Sequence, residues 1–503
     1  MTETPRASRG RWVALGVLGF ASFLDGLDAN IVTVALPSIQ RDLDMGFAAA
    51  QWTMAGYALA FSMFLITGGR LGDILGAKRV FMAGVALFTL ASVVAGLALT
   101  PGMLVAGRFA QGLTAALMLP QVMAVIVRVF DRREWPLAAG LVGSMLSVGS
   151  IGGPLLGGLL TDLDFMGLGW RTVFYVNVPV GLAALVLGAR FLPSFRSEAP
   201  PRLDLPGVVL LTAVSVGLLY PVMQGGEQGW PGWMFAMTAG AVALLLVFVG
   251  YQRRRHAADG SALVPPTLFR HRSFSVGLLV SLLAFTGISS FSFVLTYHLQ
   301  FGLGWSAGDT AWAIATWPLG IVATFQIAFR LSAGRERLFV AAGSVVMAVG
   351  SLAALWSVHA RGAELTWPYV ALAALLTGLG MGLSTPILAT SVLGDLPPQD
   401  AGAGSGVVNA TTQLGAAVGV AAVGALLFAL VGDAAGAPGA RAADFGSAVS
   451  LTLWYNVAVF LLTAALTPLL PRGRASAPPS GAAAAAGPES GGGPGGALVG
   501  DPA

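Results

Sequence analysis

Residues 70–81 read RLGDILGAKRVF, and a shorter related stretch, RLSAGRERLF, occupies residues 330–339. The second stretch has no counterpart of Asp73. A second pair of related stretches is GPLLGG at 153–158 and GAAVGV at 415–420. Two halves that repeat each other and enclose a central site are typical of secondary transporters. The alternative is that such short echoes arise by chance between apolar, glycine-rich segments.

The composition indicates that lipid surrounds most of the chain. Of the 503 residues, 56% are apolar and 10% are charged, whereas about 25% of residues in a soluble domain are charged. Glycine is abundant, at 68 residues, and membrane helices use small residues where neighbouring backbones approach closely. The sequence therefore predicts an all-α integral membrane protein.

Apolar segments long enough to cross a bilayer recur along the chain. About 20 such residues in a helix span the ~30 Å hydrocarbon layer. The first segment contains Asp25 and Asp28 and is too long for a signal peptide, so we expect it to remain as helix 1. The predicted transmembrane helices 1 to 14 lie at approximately 12–36, 49–69, 80–99, 102–127, 136–160, 170–192, 205–224, 232–251, 273–299, 308–329, 338–358, 367–389, 405–431 and 446–470.

The repeat predicts how these helices are grouped. Both repeated pairs lie eight helices apart, which fits two six-helix halves with helices 7 and 8 inserted between them. The tail has too little apolar content to pack and is expected to be disordered. The predicted parts are a cytoplasmic amino terminus at 1–11, an N-terminal half at 12–192, the inserted helices at 205–251, a C-terminal half at 273–470 and a cytoplasmic tail at 471–503.

The basic residues indicate the orientation of the chain, because cytoplasmic loops carry an excess of Lys and Arg. With a cytoplasmic amino terminus, nearly all of the 27 basic residues lie in cytoplasmic loops or at the termini. The exceptions are Arg108 within helix 4 and, in loops on the other side, Arg41, Arg171, Arg361 and Arg441. Both termini are therefore predicted to be cytoplasmic.

Five stretches form an ordered set of motifs. They are LDANIVTVALPSI at 27–39, GRLGDILGAKR at 69–79, LVAGRFAQG at 104–112, GSIGGPLLGG at 149–158 and GWRTVFYVNVPVG at 169–181. On these motifs the chain resembles, over roughly residues 10–470, the fourteen-helix drug:proton antiporter branch of the major facilitator superfamily. It departs from the usual pattern at Asn30, Thr33 and Ala77.

The resemblance implies the major facilitator fold and a cytoplasmic gate in the loop after helix 2. The gate motif is carried by Gly69, Asp73, Gly76, Lys78 and Arg79. In this family the loop lies near the cytoplasmic start of helix 13. A carboxylate is favoured beside a helix amino terminus, so Asp73 is expected to stabilise the state that is closed towards the cytoplasm.

The helix 5 motif is associated with antiporters rather than uptake symporters. Gly149, Gly153 and Gly157 recur every four residues and form a groove that admits a neighbouring helix, while Pro154 removes a backbone hydrogen bond. Gly158 completes the motif. The glycines predict a close helix contact that could serve as a hinge, although ordinary packing of small residues gives the same pattern.

Three ionisable side chains lie deep within the predicted helices: Asp25, Asp28 and Arg108. Each costs about 2.5 to 3.5 kcal/mol at the bilayer centre on an insertion scale, which favours a functional role over a purely structural ion pair. A carboxylate removed from water binds a proton more readily, and an approaching arginine opposes that binding. We therefore predict that these residues couple transport to protons, with Asp28 first because it belongs to the motif, and that Gln111 and Gly112 line the route.

Other classes of function fit the sequence less well. There is no cysteine, the four histidines have no ligand spacing, and no phosphate-binding GxxxxGK[ST] occurs, so neither a metal, a cofactor nor ATP hydrolysis is expected. No enzyme constellation and no nucleic-acid site is predicted. We expect a monomeric, proton-coupled exporter of lipophilic drugs or antibiotics in the cell membrane. The alternative is a proton-coupled uptake symporter for a small nutrient, since the fold is shared.

Overall fold

The computed structural model describes residues 9–131, 134–196, 203–260, 262–332, 334–396, 401–431 and 442–471. Within these residues, fourteen helices are long and apolar enough to cross a membrane, as the sequence predicts. The amino-terminal residues 1–8 and most of the predicted disordered tail lie outside the described residues. The limits of the predicted halves stay a prediction.

The fourteen helices follow the predicted order, and several extend beyond the predicted ends. Helix 1 starts at Arg9, and helix 8 continues about two turns past its apolar segment to Asp259. Helices 1 to 5 are Arg9–Asp42, Phe47–Leu75, Ala77–Gly96, Pro101–Val129 and Trp135–Asp162. Helix 6 comprises Thr172–Tyr175 and Asn177–Phe191, helices 7 and 8 are Leu205–Gln228 and Gly232–Asp259, and helix 9 is Arg272–Tyr297. Helix 10 comprises Ala307–Ile314 and Thr316–Leu331, and helices 11 to 14 are Glu336–Arg361, Trp367–Leu393, Ala401–Val431 and Ala442–Leu466.

Helices 6 and 10 are interrupted where the sequence predicts continuous segments. Proline has no N–H to bond the carbonyl four residues earlier, and its ring crowds that carbonyl. Pro179 lies four residues after Tyr175, where the first part of helix 6 ends, and Pro318 lies four residues after Ile314, where the first part of helix 10 ends. The two breaks therefore have the same local cause.

The helices form two six-helix groups joined by an inserted pair, which confirms the predicted fold class. In the first group helix 1 packs on helix 5, and helix 4 packs on helices 2 and 3. In the second group helix 9 packs on helix 13, and helix 12 packs on helices 10 and 11. Helices 7 and 8 pack on each other, and helix 7 also contacts helices 2 and 13.

The helix 5 glycines contact helix 1 one by one. A Cβ added at Gly149 would overlap the Phe23 carbonyl oxygen, and a Cβ added at Gly157 would overlap the Ile31 carbonyl oxygen. Between them, a Cβ at Gly153 would lie 3.0 Å from the Leu27 carbonyl oxygen. The four-residue spacing on both helices therefore produces a backbone-to-backbone ladder, and helix 5 continues through Pro154.

The second group repeats this ladder. A Cβ added at Gly415 would lie 2.6 Å from the Leu282 carbonyl oxygen, and a Cβ at Gly419 would overlap the Thr286 carbonyl oxygen. These contacts join helix 13 to helix 9, eight helices after the contact between helices 5 and 1. The sequence echo at 415–420 thus corresponds to a repeated packing contact.

The inserted helices are fixed at one end by a buried carboxylate. Asp204 caps helix 7 by accepting from the Gly207 N–H at 3.0 Å, and it also accepts from Tyr251 at 2.8 Å and Gln252 at 2.8 Å on helix 8. Burial acts to raise the pKa of Asp204, but donation by Gln252 and Tyr251 holds that pKa below its ordinary value. The start of helix 7 and the end of helix 8 are therefore tied together.

The two groups also meet on the side of the bundle opposite the start of helix 1. There Asp162, which ends helix 5, accepts from Ser306 Oγ and the Gly308 N–H, both at 2.8 Å, at the start of helix 10. A Cβ added at Gly158 would lie 2.5 Å from the Ala307 carbonyl oxygen. The ends of helices 1 and 9 meet through a hydrogen bond from Tyr297 to Gln40. These contacts close this side of the bundle.

We predict that the glycine ladder between helices 1 and 5 contributes to stability and that Gly149→Ala disrupts it. The added methyl group meets a backbone carbonyl that cannot rotate away, and overpacking of this kind costs about 1 to 3 kcal/mol. Gly152→Ala is the matched control, because a Cβ at Gly152 meets nothing within 4 Å. The control removes a helical glycine and should gain up to about 1 kcal/mol.

The thermal midpoint of each purified variant in detergent measures this difference. Gly149→Ala is expected below the wild type, and Gly152→Ala at or above it. Equal midpoints for the two variants would contradict the role assigned to the ladder.

Candidate functional site

The centre of the first helix group contains a fully buried carboxylate with three donors. Arg108 Nη1 on helix 4 lies 2.5 Å from Asp28 Oδ2 on helix 1. Gln111 Nε2 and Asn177 Nδ2 donate to Asp28 Oδ1 at 2.8 Å and 2.7 Å. Ser92 Oγ on helix 3 accepts from Gln111 at 2.8 Å. Helices 1, 3, 4 and 6 therefore converge on Asp28.

Arg108 is buried and donates hydrogen bonds to three partners. It is 1% exposed, and Asp28 is 0% exposed, so the ion pair is excluded from solvent. Arg108 Nε donates to the Thr53 carbonyl oxygen on helix 2 at 3.1 Å, and Nη1 also donates to Gln111 Oε1 at 3.0 Å. Removing one partner of such a pair leaves an uncompensated buried charge and typically costs about 3 to 5 kcal/mol.

Tyr57 on helix 2 connects the second acid to this pair. Its hydroxyl donates to Asp25 Oδ1 at 2.7 Å. The guanidinium carbon of Arg108 lies over the same ring, 4.4 Å from its centroid. Asp25 is itself buried. Because it lies one helical turn from Asp28, the two carboxylates and the arginine form one electrostatic unit.

The donors are divided unequally between the two carboxylates. Asp28 receives an arginine and two amides and so is satisfied as an anion. Asp25 receives one neutral hydroxyl. An anion with so few donors is costly away from water. Asp28 therefore has a cationic partner, whereas the hydrogen-bond partner of Asp25 is neutral.

Gln111 and Gly112, which are predicted to line the transport route, lie in different surroundings. Gln111 is buried within the network around Asp28. Gly112 lies at the contact between helices 4 and 2, where a Cβ would overlap the Tyr57 carbonyl oxygen. In this conformation Gln111 positions Asp28 and Gly112 permits close packing, so their role in lining a transport route stays a prediction.

The predicted gate residues surround the turn between helices 2 and 3. Gly76 has a φ of 100°, which favours glycine, and Gly69 faces Pro120. Lys78 Nζ donates to the Ala189 carbonyl oxygen at 2.8 Å, tying the turn to helix 6. Asp73 and Arg79 are exposed.

Helices 2 and 13 are adjacent, which bears on the expected position of Asp73. Gly406, near the start of helix 13, packs against Ile66, and Gly424, further along, packs against Gln51. The two helices therefore run antiparallel, and the end of helix 2 approaches the beginning of helix 13. A charge–dipole role for Asp73 stays a prediction.

Sequence reasoning missed three residues of the network: Tyr57, Ser92 and Asn177. Each is a polar residue within an apolar helix, and a buried hydroxyl or amide needs a partner. Tyr57 and Asn177 carry that signal in the sequence, and Asn177 lies within a quoted motif. The sequence could not indicate which charged residue they face, because the contacts cross between helices.

Comparison with known proteins identifies the family of this chain. The family model described as Major Facilitator Superfamily matches residues 18–258 and 277–498. The probable actinorhodin transporter of Streptomyces coelicolor is 39% identical over 84% of this chain and 74% of its own length. The cephamycin export protein of Amycolatopsis lactamdurans is 36% identical over 91% and 92%, and the puromycin resistance protein of Streptomyces alboniger is 34% identical over 93% and 92%.

Solved structures support the fold. An auto-inhibited peptide transporter of the POT family has a TM-score of 0.65 at 17% identity, covering 92% of this chain and 96% of its own. A bacterial homologue of the human lysosomal transporter Spinster has a TM-score of 0.64 at 15% identity, covering 92% and 97%. The prediction of a transporter rather than an enzyme is confirmed. This chain belongs to the major facilitator superfamily of multi-pass membrane transporters.

Proposed function

We propose that this protein exports lipophilic antibiotics or drugs in exchange for protons. The observation that carries the proposal is the buried unit of Asp25, Asp28 and Arg108, which costs stability in an apolar bundle and can exchange a proton. Export is supported by relatives that are similar over more than four fifths of this chain and are named as a probable actinorhodin transporter, a cephamycin export protein and a puromycin resistance protein.

Arg108 is the element that switches proton affinity in this mechanism. In this conformation Arg108 is paired with the Asp28 carboxylate. A displacement of helix 4 relative to helix 1 would lengthen the 2.5 Å contact and also move Gln111, which leaves Asp28 with the Asn177 amide on helix 6. Asp28 would then take up a proton, because a buried carboxylate without its cation is destabilised.

The conformation fits the substrate-receiving stage of an export cycle. The contacts of Asp162 and Gly158 with helix 10 close the bundle on the side opposite the start of helix 1. With the cytoplasmic amino terminus that the basic residues favour, this is the outer side. The protein would then accept its substrate from the cytoplasm and rock about the glycine-rich contacts to release it outside.

The substrate class follows from the charges. A lipophilic cation can replace a proton at the acids without adding net charge, whereas an anion would face them unscreened. We therefore assign cationic or weakly basic lipophilic compounds to the transport route. A proton-coupled uptake symporter with the same fold is the alternative, and the direction of transport distinguishes it.

Accumulation of ethidium in cells tests this function. Expression of the wild-type protein is expected to lower ethidium accumulation, and an uncoupler is expected to abolish the difference. Asp28→Asn should accumulate ethidium like cells without the transporter, because the amide neither ionises nor pairs with Arg108. Glu364→Gln, which changes an exposed acid outside the network, is the matched control and should export normally. Higher accumulation on expression of the wild type would favour the symporter.

A second prediction separates the two acids by the membrane voltage. Exchange of two protons for one monovalent cation moves one net charge inward, worth about 2.3 kcal/mol per 100 mV, whereas one-for-one exchange moves none. In proteoliposomes with an imposed voltage and no pH difference, the wild type should transport a cation and Asp25→Asn should not. Both should transport a neutral substrate when a pH difference is imposed.

Tyr57→Phe provides an internal check, because it removes the hydroxyl that donates to Asp25 while keeping the ring over Arg108. The rate of voltage-driven cation transport by Tyr57→Phe should lie between the rates of the wild type and Asp25→Asn. Equal voltage-driven transport by wild type and Asp25→Asn would show that Asp25 carries no second proton.

A further inference from the structure

A cleft of about 560 Å³ lies between the starts of helices 10 and 12, on the side opposite the start of helix 1. Three indole rings, Trp305, Trp312 and Trp367, line it together with the carboxylate of Asp309. Trp312 and Trp367 are 63% and 64% exposed, so a ligand can reach them. The cleft is separate from the buried acids on helix 1.

The lining has the chemistry of a cation site. The face of an indole ring attracts a cation, and a set of aromatic rings is the usual receptor for quaternary ammonium groups. Tryptophan at helix ends also anchors proteins at the membrane interface. That general role accounts for a single exposed tryptophan but not for three that line one concave surface together with a carboxylate.

Among the described residues, one side chain, that of Ser306, lies within hydrogen-bond distance of the Asp309 carboxylate. Ser306 Oγ lies 3.0 Å from Asp309 Oδ2 and 2.8 Å from Asp162 Oδ2, and its one proton can serve only one of them at a time. Asp162 also accepts from the Gly308 N–H. Among the described residues, no arginine, lysine or histidine forms an ion pair with Asp309. Asp309 is exposed, so water solvates its carboxylate, and a bound cation would take the place of that water.

We propose that this cleft binds an organic cation with a quaternary or protonated nitrogen. The nitrogen lies against Asp309, and the apolar body lies between the indole rings. Because Ser306 links Asp309 to Asp162, the bound cation adjoins the contact that closes this side of the bundle. The ligand is either a soluble lipophilic cation or the amine headgroup of a phospholipid, which present the same chemistry. The site does not depend on the proposed transport cycle.

Equilibrium binding of ethidium to the purified protein in phosphatidylglycerol nanodiscs tests the site. Asp309→Asn and Trp312→Leu are each expected to weaken the same binding component by about threefold or more, since an exposed cation–π contact is worth about that factor. Asp131→Asn and Trp454→Leu are the controls, because they change an exposed acid and an exposed tryptophan that do not line the cleft. Both should bind like the wild type.

Ethidium that binds at the central acids is distinguished by Asp28→Asn, which should leave the component at the cleft unchanged. Size-exclusion profiles confirm that each variant is folded. Identical isotherms for wild type, Asp309→Asn and Trp312→Leu would overturn the proposal, as would equal losses in the two control variants.

Lipid composition identifies the source of the ligand. Where the natural occupant is an amine headgroup, phosphatidylethanolamine in the nanodiscs should compete with ethidium in the wild type but not alter the residual binding of Asp309→Asn. Where it is a soluble cation, the wild-type isotherm should be the same in both lipids while the effect of Asp309→Asn persists.

Discussion

The ion pair between Asp28 and Arg108 is the interaction on which the rest of the site depends. An arginine that is 1% exposed inside an apolar bundle needs a counter-charge and hydrogen-bond acceptors. Asp28, Gln111 and the Thr53 carbonyl oxygen provide them. Helices 1, 2 and 4 are thereby fixed relative to one another. Asn177 extends the same constraint to helix 6.

Helix 5 packs closely against the part of helix 1 that carries this pair. The glycine ladder brings helix 5 against helix 1 from Phe23 to Ile31, the segment that also carries Asp25 and Asp28. These contacts join backbone to backbone, so the spacing of helices 1 and 5 depends on the absence of side chains at the glycines. A shift of helix 1 would alter the contact with Arg108 directly. The predicted hinge contact and the proposed charge switch therefore lie on the same segment of helix 1.

The two halves share their packing but not their charge. Helices 13 and 9 repeat the glycine ladder, and Ser290 on helix 9 donates to Asn456 on helix 14, much as Asn177 on helix 6 donates to Asp28. No ionised pair accompanies this neutral contact among the described parts of helices 9 and 14. The buried ion pair between Asp28 and Arg108 thus lies in the first half, to which we assign the proposed proton coupling.

Much of this architecture could be predicted from the sequence. Apolar segments predicted the fourteen helices, because their length is fixed by the thickness of the bilayer. The cost of burying charge singled out Asp25, Asp28 and Arg108. The breaks after Tyr175 and Ile314 coincide with prolines four residues later. The sequence does not show which prolines interrupt a helix, since helix 5 continues through Pro154.

The pairing of Tyr57 with Asp25 could not be predicted in this way. It depends on how helices 1 and 2 are rotated, which is a property of the whole bundle. The cleft at Asp309 could not be predicted for the same reason, since Trp367 on helix 12 comes from a different part of the chain than Trp305 and Trp312.

The most direct test of the central claim is a measurement of proton release when a cation binds to the purified protein in weakly buffered solution. If the bound cation competes with protons at both acids, saturating the wild type with a transported cation should release about two protons per cation bound, detected by a pH-indicator dye. Asp28→Asn should bind the cation weakly and release no proton from this site. Release by Asp28→Asn that equals the wild type would contradict the assignment of Asp28.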